Sequence, residues 1–314
     1  MTDLFQKKTI LVIGDLLLDA YTIGEVQRIS PEAPVPVMRV SHKKYLPGGA
    51  GNVMLNLVSL GMEVKAVGRI GCDEGGDLFL KALAQEPIHT DWIIQDPKFQ
   101  TPIKNRMIAS GQQLLRVDYE RASALNEAHH QMLVENLPHL LEDVDGIAIS
   151  DYSKGFLTPS LLASLIDEAN TREIPVITDP KGIDFHKYRG STLLKPNLLE
   201  AKAAARLGEQ ASLDQIAQHL LNEVDIEALM ITRSKEGISL FTPQQGRRDF
   251  PTYIHEVKDV TGAGDTVLAV VTAGITNKIS LEEISLLANR AAGLAIEQVG
   301  CARISQEDLK YSPI

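Results

Sequence analysis

The segment from Asp259 to Asp265 combines two glycines with a carboxylate that opens an apolar run of helical length. The first N–H groups of a helix have no helical partners, and together with the helix dipole they favour an anion. Gly262 and Gly264, on either side of Ala263, allow a ligand to approach the backbone closely. A carboxylate at this place can accept a proton from a hydroxyl group while the amides hold a phosphate. The segment therefore predicts phosphoryl transfer to an alcohol, with Asp265 as general base.

The same segment also has a purely structural interpretation. Residues 262–265 could form a tight loop in which the carboxylate only caps the following helix. The four residues alone leave both interpretations open, so the elements that position them have to be considered.

The composition limits the classes of protein. The chain has 314 residues, of which 44% are hydrophobic, and a formal net charge of −10. A large core is therefore expected, whereas non-specific nucleic-acid binding and a basic membrane surface are not. We find neither a signal peptide nor a run of about eighteen apolar residues, so we expect no membrane span. Cys72 and Cys301 form no CxxC or zinc pattern, which predicts reduced thiols in a cytoplasmic protein.

Short apolar runs alternate with helical stretches along most of the chain, which predicts an α/β fold with a mostly parallel sheet. The candidate strands are Thr9–Ile13, Gly146–Ser150, Pro175–Asp179, Thr192–Lys195 and Ala228–Thr232. Polar or acidic residues follow nearly all of them, at the edge where open parallel sheets bind ligands. Each alone could be a turn or a helix cap. Together they predict a crevice rich in carboxylates, which suits sugar hydroxyls and Mg²⁺.

Two stretches, about residues 21–46 and 101–119, differ from this pattern. Three prolines between Ser30 and Pro36 exclude a helix there, and Val35, Val37 and Val40 predict short, partly exposed strands. The second stretch alternates polar and apolar residues. We expect both to form a small β-sheet lid on a single domain that comprises residues 1–314.

Two further motifs have chemical and structural interpretations. Residues 48–52 lead into an apolar helix, so that they could bring a ligand against the backbone or form a simple glycine-rich turn. Neither a GxxxxGK[ST] loop nor a GxGxxG turn after the first strand is present. Asn197 and Glu200 lie three residues apart and could bind a phosphate or a metal-bound water. On these residues alone, a capping box is the favoured interpretation.

Several basic residues are candidates for binding a second anion, although each of them singly also fits a solvated surface. They are Lys104, Arg106, Arg116, Lys154 and Lys181.

Residues 48–52 and 259–265, taken together, resemble the signatures of the ribokinase (PfkB-type) carbohydrate kinases, and the resemblance covers essentially the whole chain. It implies a three-layer α/β/α sandwich with a small β-sheet lid, which closes over the sugar and often forms a homodimer contact. It also implies ATP and Mg²⁺ as cofactors, and it leaves room for a monovalent cation.

The resemblance implies a role for each matching residue. Asp265 is expected to be the catalytic base, and the anion hole is expected from Gly262, Ala263 and Gly264. Sugar contacts are expected from Asp19, Gly48, Gly49 and Asn52. ATP and Mg²⁺ are expected to be served by Asn197, Leu198, Leu199, Glu200, Thr232, Ser234, Gly237 and Asp259. Glu200 would contact the metal through water, which replaces the capping interpretation.

Further segments resemble the bacterial heptose 7-phosphate kinases: Arg28–Val37, Gln112–Asp118, Ser150–Gly155 and Asp179–Gly182. That group phosphorylates D-glycero-β-D-manno-heptose 7-phosphate at O1, in the synthesis of lipopolysaccharide core precursors. A phosphate already on the substrate would explain the extra cations. A kinase for another sugar, or a non-catalytic sugar-phosphate sensor, remains the alternative.

Two features depart from the pattern of this group. Lys195 stands before the Asn197 motif where a small polar residue is expected. This added cation could tighten nucleotide binding or have no effect. Many members also carry a nucleotidyltransferase domain, and since the chain ends soon after Asp265 and its helix, we expect that second activity to be absent here.

Overall fold

The computed structural model describes residues 3–252, 257–298 and 300–311. The strands are β1 (Thr9–Gly14), β2 (Leu16–Ile29), β3 (Pro36–Gly49), β4 (Glu63–Gly71), β5 (Ile88–Asp96), β6 (Ile103–Ala109), β7 (Gln112–Tyr119), β8 (Gly146–Ser150), β9 (Val176–Asp179), β10 (Leu193–Leu194), β11 (Ala228–Thr232), β12 (Ile238–Thr242) and β13 (Gly246–Phe250). The helices are α1 (Ala50–Ser59), α2 (Glu74–Leu83), α3 (Glu127–Glu135), α4 (Leu137–Leu140), α5 (Pro159–Thr171), α6 (Leu198–Ala205), α7 (Leu213–Val224), α8 (Ala263–Thr276), α9 (Leu281–Ile296) and α10 (Gln306–Tyr311).

Nine strands form one large sheet in the order β13-β12-β11-β10-β9-β8-β1-β4-β5. From β11 to β5 all neighbours run parallel, and only β12 and β13 are antiparallel. The structure therefore confirms the predicted mostly parallel sheet. The strands β1, β8, β9 and β11 are buried along nearly their whole length, and their sequences are accordingly nearly continuous apolar runs.

Helices cover both faces of the large sheet. In β1, Ile10 and Val12 pack on one side against α1, α2, α8 and α9, whereas Leu11 and Ile13 pack on the other side against α3 to α7. This alternation follows from the two-residue period of a strand. The two separate apolar cores confirm the predicted three-layer α/β/α sandwich.

The predicted strands are close to the observed ones. The strands beginning at Gly146 and Ala228 have the predicted bounds, β1 extends one residue further, and β9 begins one residue later than predicted. The strand predicted over Thr192–Lys195 contains only the two residues of β10, although the N–H groups of Thr192 and Lys195 still donate to carbonyl oxygens along β9.

A second sheet has the order β3-β2-β6-β7. The prediction of short strands in its first half was wrong, since β2 and β3 have 14 residues each and pair along nearly their whole length. The sheet also begins earlier than residue 21, because Asp15 alone separates β1 from β2. We call these four strands the small sheet.

The small sheet is joined to the large one where the candidate site residues lie. Leu16 pairs with Gly49, so the ends of β2 and β3 meet at the start of α1. Gly49 has a positive φ of 56°, which favours glycine where the chain turns into that helix. No helix in the described part of the chain has the length and apolar character to span a bilayer.

Candidate active site

Asp265 lies in the first turn of α8 and is buried. Gly262 precedes this helix with a φ of 80°, and a Cβ there would come within 2.6 Å of the Asn52 Nδ2. A side chain at this position would therefore be strained and would also clash. The N–H groups at such a helix start favour an anion.

Two neutral side chains hold the Asp265 carboxylate. The Asn52 Nδ2 donates to Oδ2 at 2.9 Å, and the Tyr152 hydroxyl donates to Oδ1 at 2.7 Å. Asn56 fixes the amide of Asn52, because its own Nδ2 donates to the Asn52 Oδ1 at 3.2 Å. This leaves the Asn52 Nδ2 free to face the carboxylate. Each oxygen of Asp265 still has capacity to accept a further hydrogen bond, since a carboxylate oxygen accepts more than one.

Within the described residues, Asp265 makes no ion pair with any cation. Burial raises its pKa to about 7, although the hydrogen bonds from Asn52 and Tyr152 act in the opposite direction. Asp179 raises this pKa further, and Lys195 lowers it. A carboxyl group with a pKa near 7 suits a general base that works at neutral pH.

Asp19 lies on β2 beside the start of α1. Its carboxylate makes a buried ion pair with Arg106 of β6, and the Cys301 thiol lies 3.5 Å from its Oδ2. A Cβ on Gly48 would come within 2.1 Å of that same oxygen, so only glycine fits there. The residues predicted to bind the sugar therefore lie together: Asp19, Gly48, Gly49 and Asn52. Arg106, which was a candidate for binding a second anion, is instead the ion-pair partner of Asp19.

The loop after β8 is held by Asp15. Its Oδ2 accepts the N–H groups of Tyr152 and Lys154 at 2.8 and 3.0 Å. Burial raises the pKa of Asp15 to about 6, although the backbone hydrogen bonds that its carboxylate accepts lower it. This carboxylate places the Tyr152 backbone so that its hydroxyl reaches Asp265.

Lys195 is 2% exposed and pairs with Asp179 at 2.9 Å. A Cβ on Gly264 would lie 3.7 Å from the Lys195 Nζ and 3.8 Å from the Asp179 Oδ2. Lys195, which stands where a small polar residue is expected, therefore forms a buried ion pair directly against the start of α8. Breaking such a pair from one side is costly because the other charge is then left alone.

Asn197 and Glu200 form the capping box of α6. The Asn197 Oδ1 accepts the Glu200 N–H, and the Glu200 Oε2 accepts the Asn197 N–H, both at 2.9 Å. Lys181 holds the other oxygen, Oε1, at 2.5 Å. The capping interpretation that was set aside is thus present in the structure, and a water-mediated metal contact stays a prediction. Leu198 packs on the core, whereas Leu199 is exposed.

The residues expected near the nucleotide lie next to this capping box. Thr232 at the end of β11 forms a β-bridge with Asn197, and a 3-10 turn follows over Ser234–Glu236. Gly237 continues it with a φ of 85°. Asp259 binds backbone instead: its carboxylate accepts the N–H groups of Thr261 and Gly300 at 2.9 Å.

The five candidate cations for a second anion do not form one group. Arg106 pairs with Asp19, and Lys181 pairs with Glu200 on the α6 side. Arg116 pairs with Asp118, and Lys154 pairs with Glu120. Among the described residues, Lys104 has no ion pair, and its Nζ lies 5.4 Å from the centre of the Tyr152 ring.

No group of three or more His, Cys, Asp or Glu side chains in the described ranges could hold a metal. Mg²⁺ keeps several waters and takes one or two carboxylates besides substrate phosphates. Glu200 has the donor chemistry for such a contact, and its two oxygens already accept from Asn197 and Lys181.

A family model described as "pfkB family carbohydrate kinase" matches residues 7–308. The chain belongs to this family. It is 44% identical over 301 residues to the bifunctional protein HldE of Geobacter metallireducens, a match that covers 95% of this chain and 61% of that protein. The HldE of Trichlorobacter lovleyi is also 44% identical, over 311 residues, with 98% and 63% covered. The chain thus spans about three fifths of the length of these relatives.

Solved structures share the fold. Phosphofructokinase-2 from Escherichia coli in complex with potassium superposes with a TM-score of 0.78 at 22% identity, covering 96% of this chain and 97% of that one. Ribokinase of Arabidopsis thaliana, complexed with ribose and ATP, gives 0.74 at 18% identity, covering 97% and 98%. These likenesses confirm the ribokinase-like architecture with its second, small sheet.

Sequence reasoning missed residues that act on the site through others. Tyr152 lies within the Ser150–Gly155 segment, but no role was predicted for it from the sequence. Asn56 was considered only as part of the apolar helix that follows residues 48–52. For Tyr152, the signal available was its place directly after a strand end, where ligand-binding residues of parallel sheets are found. For Asn56, a polar residue on the buried part of a helix was the signal.

We predict that Asp265→Asn stabilises the folded protein at neutral but not at acidic pH. The folded-state pKa of Asp265, about 7, lies above its unfolded value of 3.8. Between these values the native state holds a proton that the unfolded state has released, so rising pH destabilises the wild type. The difference in unfolding free energy between variant and wild type should grow by up to about 1.4 kcal/mol per pH unit from pH 4 to 7.

Urea unfolding at several pH values measures this difference. Asp91→Asn, at an exposed position, is the matched control for removal of a carboxylate. A stability difference for Asp265→Asn that stays constant from pH 4 to 8 would contradict the raised pKa.

Proposed function

We propose that the chain catalyses ATP-dependent phosphorylation of D-glycero-β-D-manno-heptose 7-phosphate at O1, which supplies the 1,7-bisphosphate for lipopolysaccharide core synthesis. The observation that carries the catalytic part is the buried Asp265 carboxylate, held by two neutral donors at the first turn of α8. The heptose resemblance of four segments and the 44% identity to HldE proteins support this substrate.

In the proposed reaction the anomeric hydroxyl of the sugar hydrogen-bonds to Asp265. As the bond from O1 to the γ-phosphorus forms, the bond from that phosphorus to the β,γ-bridging oxygen of ATP breaks, and the hydroxyl proton passes to the carboxylate. The amides of Gly262, Ala263 and Gly264 stabilise charge on the transferred group. Mg²⁺, when bound with the nucleotide, neutralises phosphate charge. The electron pair of the broken bond stays on the bridging oxygen, and ADP leaves with the resulting negative charge.

The Lys195–Asp179 pair belongs to the nucleotide side of this proposal. Its position against Gly264 places an ammonium group beside the anion hole. A γ-phosphate there would compete with Asp179 for the lysine, so the carboxylate acts as its counter-ion while the nucleotide is absent. The ATP contacts proposed for Asn197, Glu200, Thr232, Ser234 and Gly237 lie next to this pair along the ends of β10 and β11.

We expect Asp265→Asn to reduce turnover at least about a thousandfold, because removal of a general base costs roughly two to four powers of ten. ATP binding should persist, since the first-turn amides remain. Turnover is followed by coupled ADP release, and nucleotide binding by calorimetry with a non-hydrolysable ATP analogue and Mg²⁺. Asp91→Asn is again the control, and near-full turnover of Asp265→Asn would refute the role of the base.

A substrate panel separates the alternatives. Heptose 7-phosphate, the unphosphorylated heptose, ribose, fructose and fructose 6-phosphate are compared in potassium and in sodium buffers, which also tests a requirement for a monovalent cation. Phosphorus NMR identifies O1 as the site of transfer. Preference for another sugar would favour a different kinase of the family, and binding without ADP release would favour a sensor.

We propose Lys104 and Lys154, with Arg116 beside them, as the subsite for the phosphate already present on the sugar. Burial lowers the pKa of Lys104, and the positive charges of Lys154 and Arg116 lower it further, whereas Glu120 and Asp19 act in the opposite direction. Three cations near one another, of which Lys104 has no ion pair among the described residues, favour an anion. Lys104 pairs in register with Asp19, which supports a subsite beside the proposed sugar contacts.

Lys104→Met should raise the KM for heptose 7-phosphate by about ten- to a hundredfold, the equivalent of one hydrogen bond to a charged group. The KM for ATP and the rate with the unphosphorylated heptose should not change. Lys43→Met, an exposed lysine of the small sheet, is the matched control. Equal losses with the phosphorylated and the unphosphorylated sugar would argue against a phosphate subsite.

We propose a homodimer formed through the small sheet. Five exposed apolar side chains lie on its strands, and Val35 lies on the connection between β2 and β3. The five on the strands are Ile29, Val40, Leu114, Leu115 and Tyr119. Such a surface favours a protein contact.

The two free thiols, Cys72 and Cys301, fit a reducing compartment, and we propose that the enzyme is cytoplasmic.

Sedimentation should show a dimer for the wild type and a monomer for Leu115→Asp, because a charge in the middle of an apolar contact is costly. Leu286→Asp changes an equally exposed leucine of α9 outside the small sheet and should remain dimeric. A monomeric wild type at micromolar concentration would overturn this proposal.

A further inference from the structure

Tyr152 connects three parts of the molecule through one side chain. Its hydroxyl donates to the Asp265 Oδ1 at 2.7 Å, its N–H donates to the Asp15 Oδ2 at 2.8 Å, and its ring lies 5.4 Å from the Lys104 Nζ. The first contact reaches α8, the second fixes the residue at the end of β1, and the third comes from the small sheet. The catalytic scheme above makes no use of this residue.

We infer that Tyr152 is a positioning residue, which holds the Asp265 carboxylate in its ionised, correctly oriented form and links it to the cation on the small sheet. The inference rests on the proposed role of Asp265 as base. A neutral donor suits this role, because it stabilises the carboxylate without the ion pair that would make it a weak base.

The geometry explains why a tyrosine does this here. Since Asn52 donates to Oδ2 and Tyr152 donates to Oδ1, the orientation of the carboxylate is fixed by two hydrogen bonds, and each oxygen can still accept one from a substrate hydroxyl. The Tyr152 phenol keeps its proton, because burial and the adjacent Asp265 raise its pKa well above the usual value. It therefore remains a donor throughout the working pH range.

Other ionisable groups also influence this pair. They are Asp179 and Lys195 at the ends of β9 and β10, Asp19 and Lys104 on the small sheet, Asp15 beneath the loop, and Cys301 after α9. None of these is removed by a change of the phenol to phenyl. A pH effect of that change thus reports on the hydrogen bond itself.

Tyr152→Phe removes the donor and keeps the ring. Loss of a hydrogen bond to the ionised form raises the pKa of a carboxyl group. We expect the acid limb of the kcat/KM profile to move upward by about one pH unit, so that the variant loses about tenfold at pH 6 and recovers most of its activity at pH 9. KM for ATP should not change.

Tyr188→Phe is the matched control. It also removes a phenol that donates to a buried carboxylate, at 2.7 Å to the Asp151 Oδ2, but away from Asp265. Its acid limb should stay at the wild-type position. A uniform loss in Tyr152→Phe at all pH values would show a merely structural role and would overturn the inference.

A second measurement needs no catalysis. In the Tyr152→Phe background, the stability gained by Asp265→Asn should continue to grow above pH 7, because the pKa of Asp265 is higher there. An unchanged pH range would overturn the inference even if the wild type phosphorylates its sugar. Conversely, if this pH range shifts but the wild type shows no kinase activity, the effect of the hydrogen bond on Asp265 is supported and the proposed function is rejected.

Tyr152 and Lys104 should also be coupled. In a double-mutant cycle, Tyr152→Phe with Lys104→Met should be non-additive in kcat/KM for heptose 7-phosphate, because residues in contact share their effects. The pair Tyr152→Phe and Lys43→Met should be additive. Additivity in both cycles would reject the link to the small sheet.

Discussion

The site depends on one buried carboxylate that has no ion-pair partner among the described residues. Asp265 is 3% exposed and is stabilised by the helix start and by two neutral donors. Such an arrangement costs folding free energy, because burial without an ion pair raises the pKa and favours the protonated form. In return, the carboxylate keeps its basicity near neutral pH. A lysine in ion-pair contact would have made the site more stable and the base weaker.

The surrounding structure supplies what this carboxylate needs. The sheet brings the ends of β1, β8, β9 and β10 to one edge, where two acids are neutralised by ion pairs. Asp179 pairs with Lys195, which follows β10, and Asp151 pairs with Lys187 of the 3-10 turn over His186–Tyr188. Asp15 is satisfied by backbone N–H groups. In the described part of the chain, charge around the site is therefore balanced without a cation paired to Asp265.

The small sheet connects the proposed substrate contacts to the start of α1. Its strands carry Asp19 and Lys104 and also deliver the glycines at which α1 begins. Asn52 and Asn56 of that helix then reach Asp265 and the 302–304 segment. The carboxylate proposed as the base is therefore held by the helix that begins where β3 ends.

The sequence by itself determined the layers, most strand positions and the family, since these follow from local periodicity and from glycines next to a carboxylate. Tertiary structure alone decided which polar groups meet. Asp265 bonds to residues 213 and 113 positions away, and no local pattern encodes those distances. The same holds for the cations: Arg106, Lys181 and Lys104 look alike in sequence, but neighbouring elements bring a carboxylate to the first two and an aromatic ring to the third.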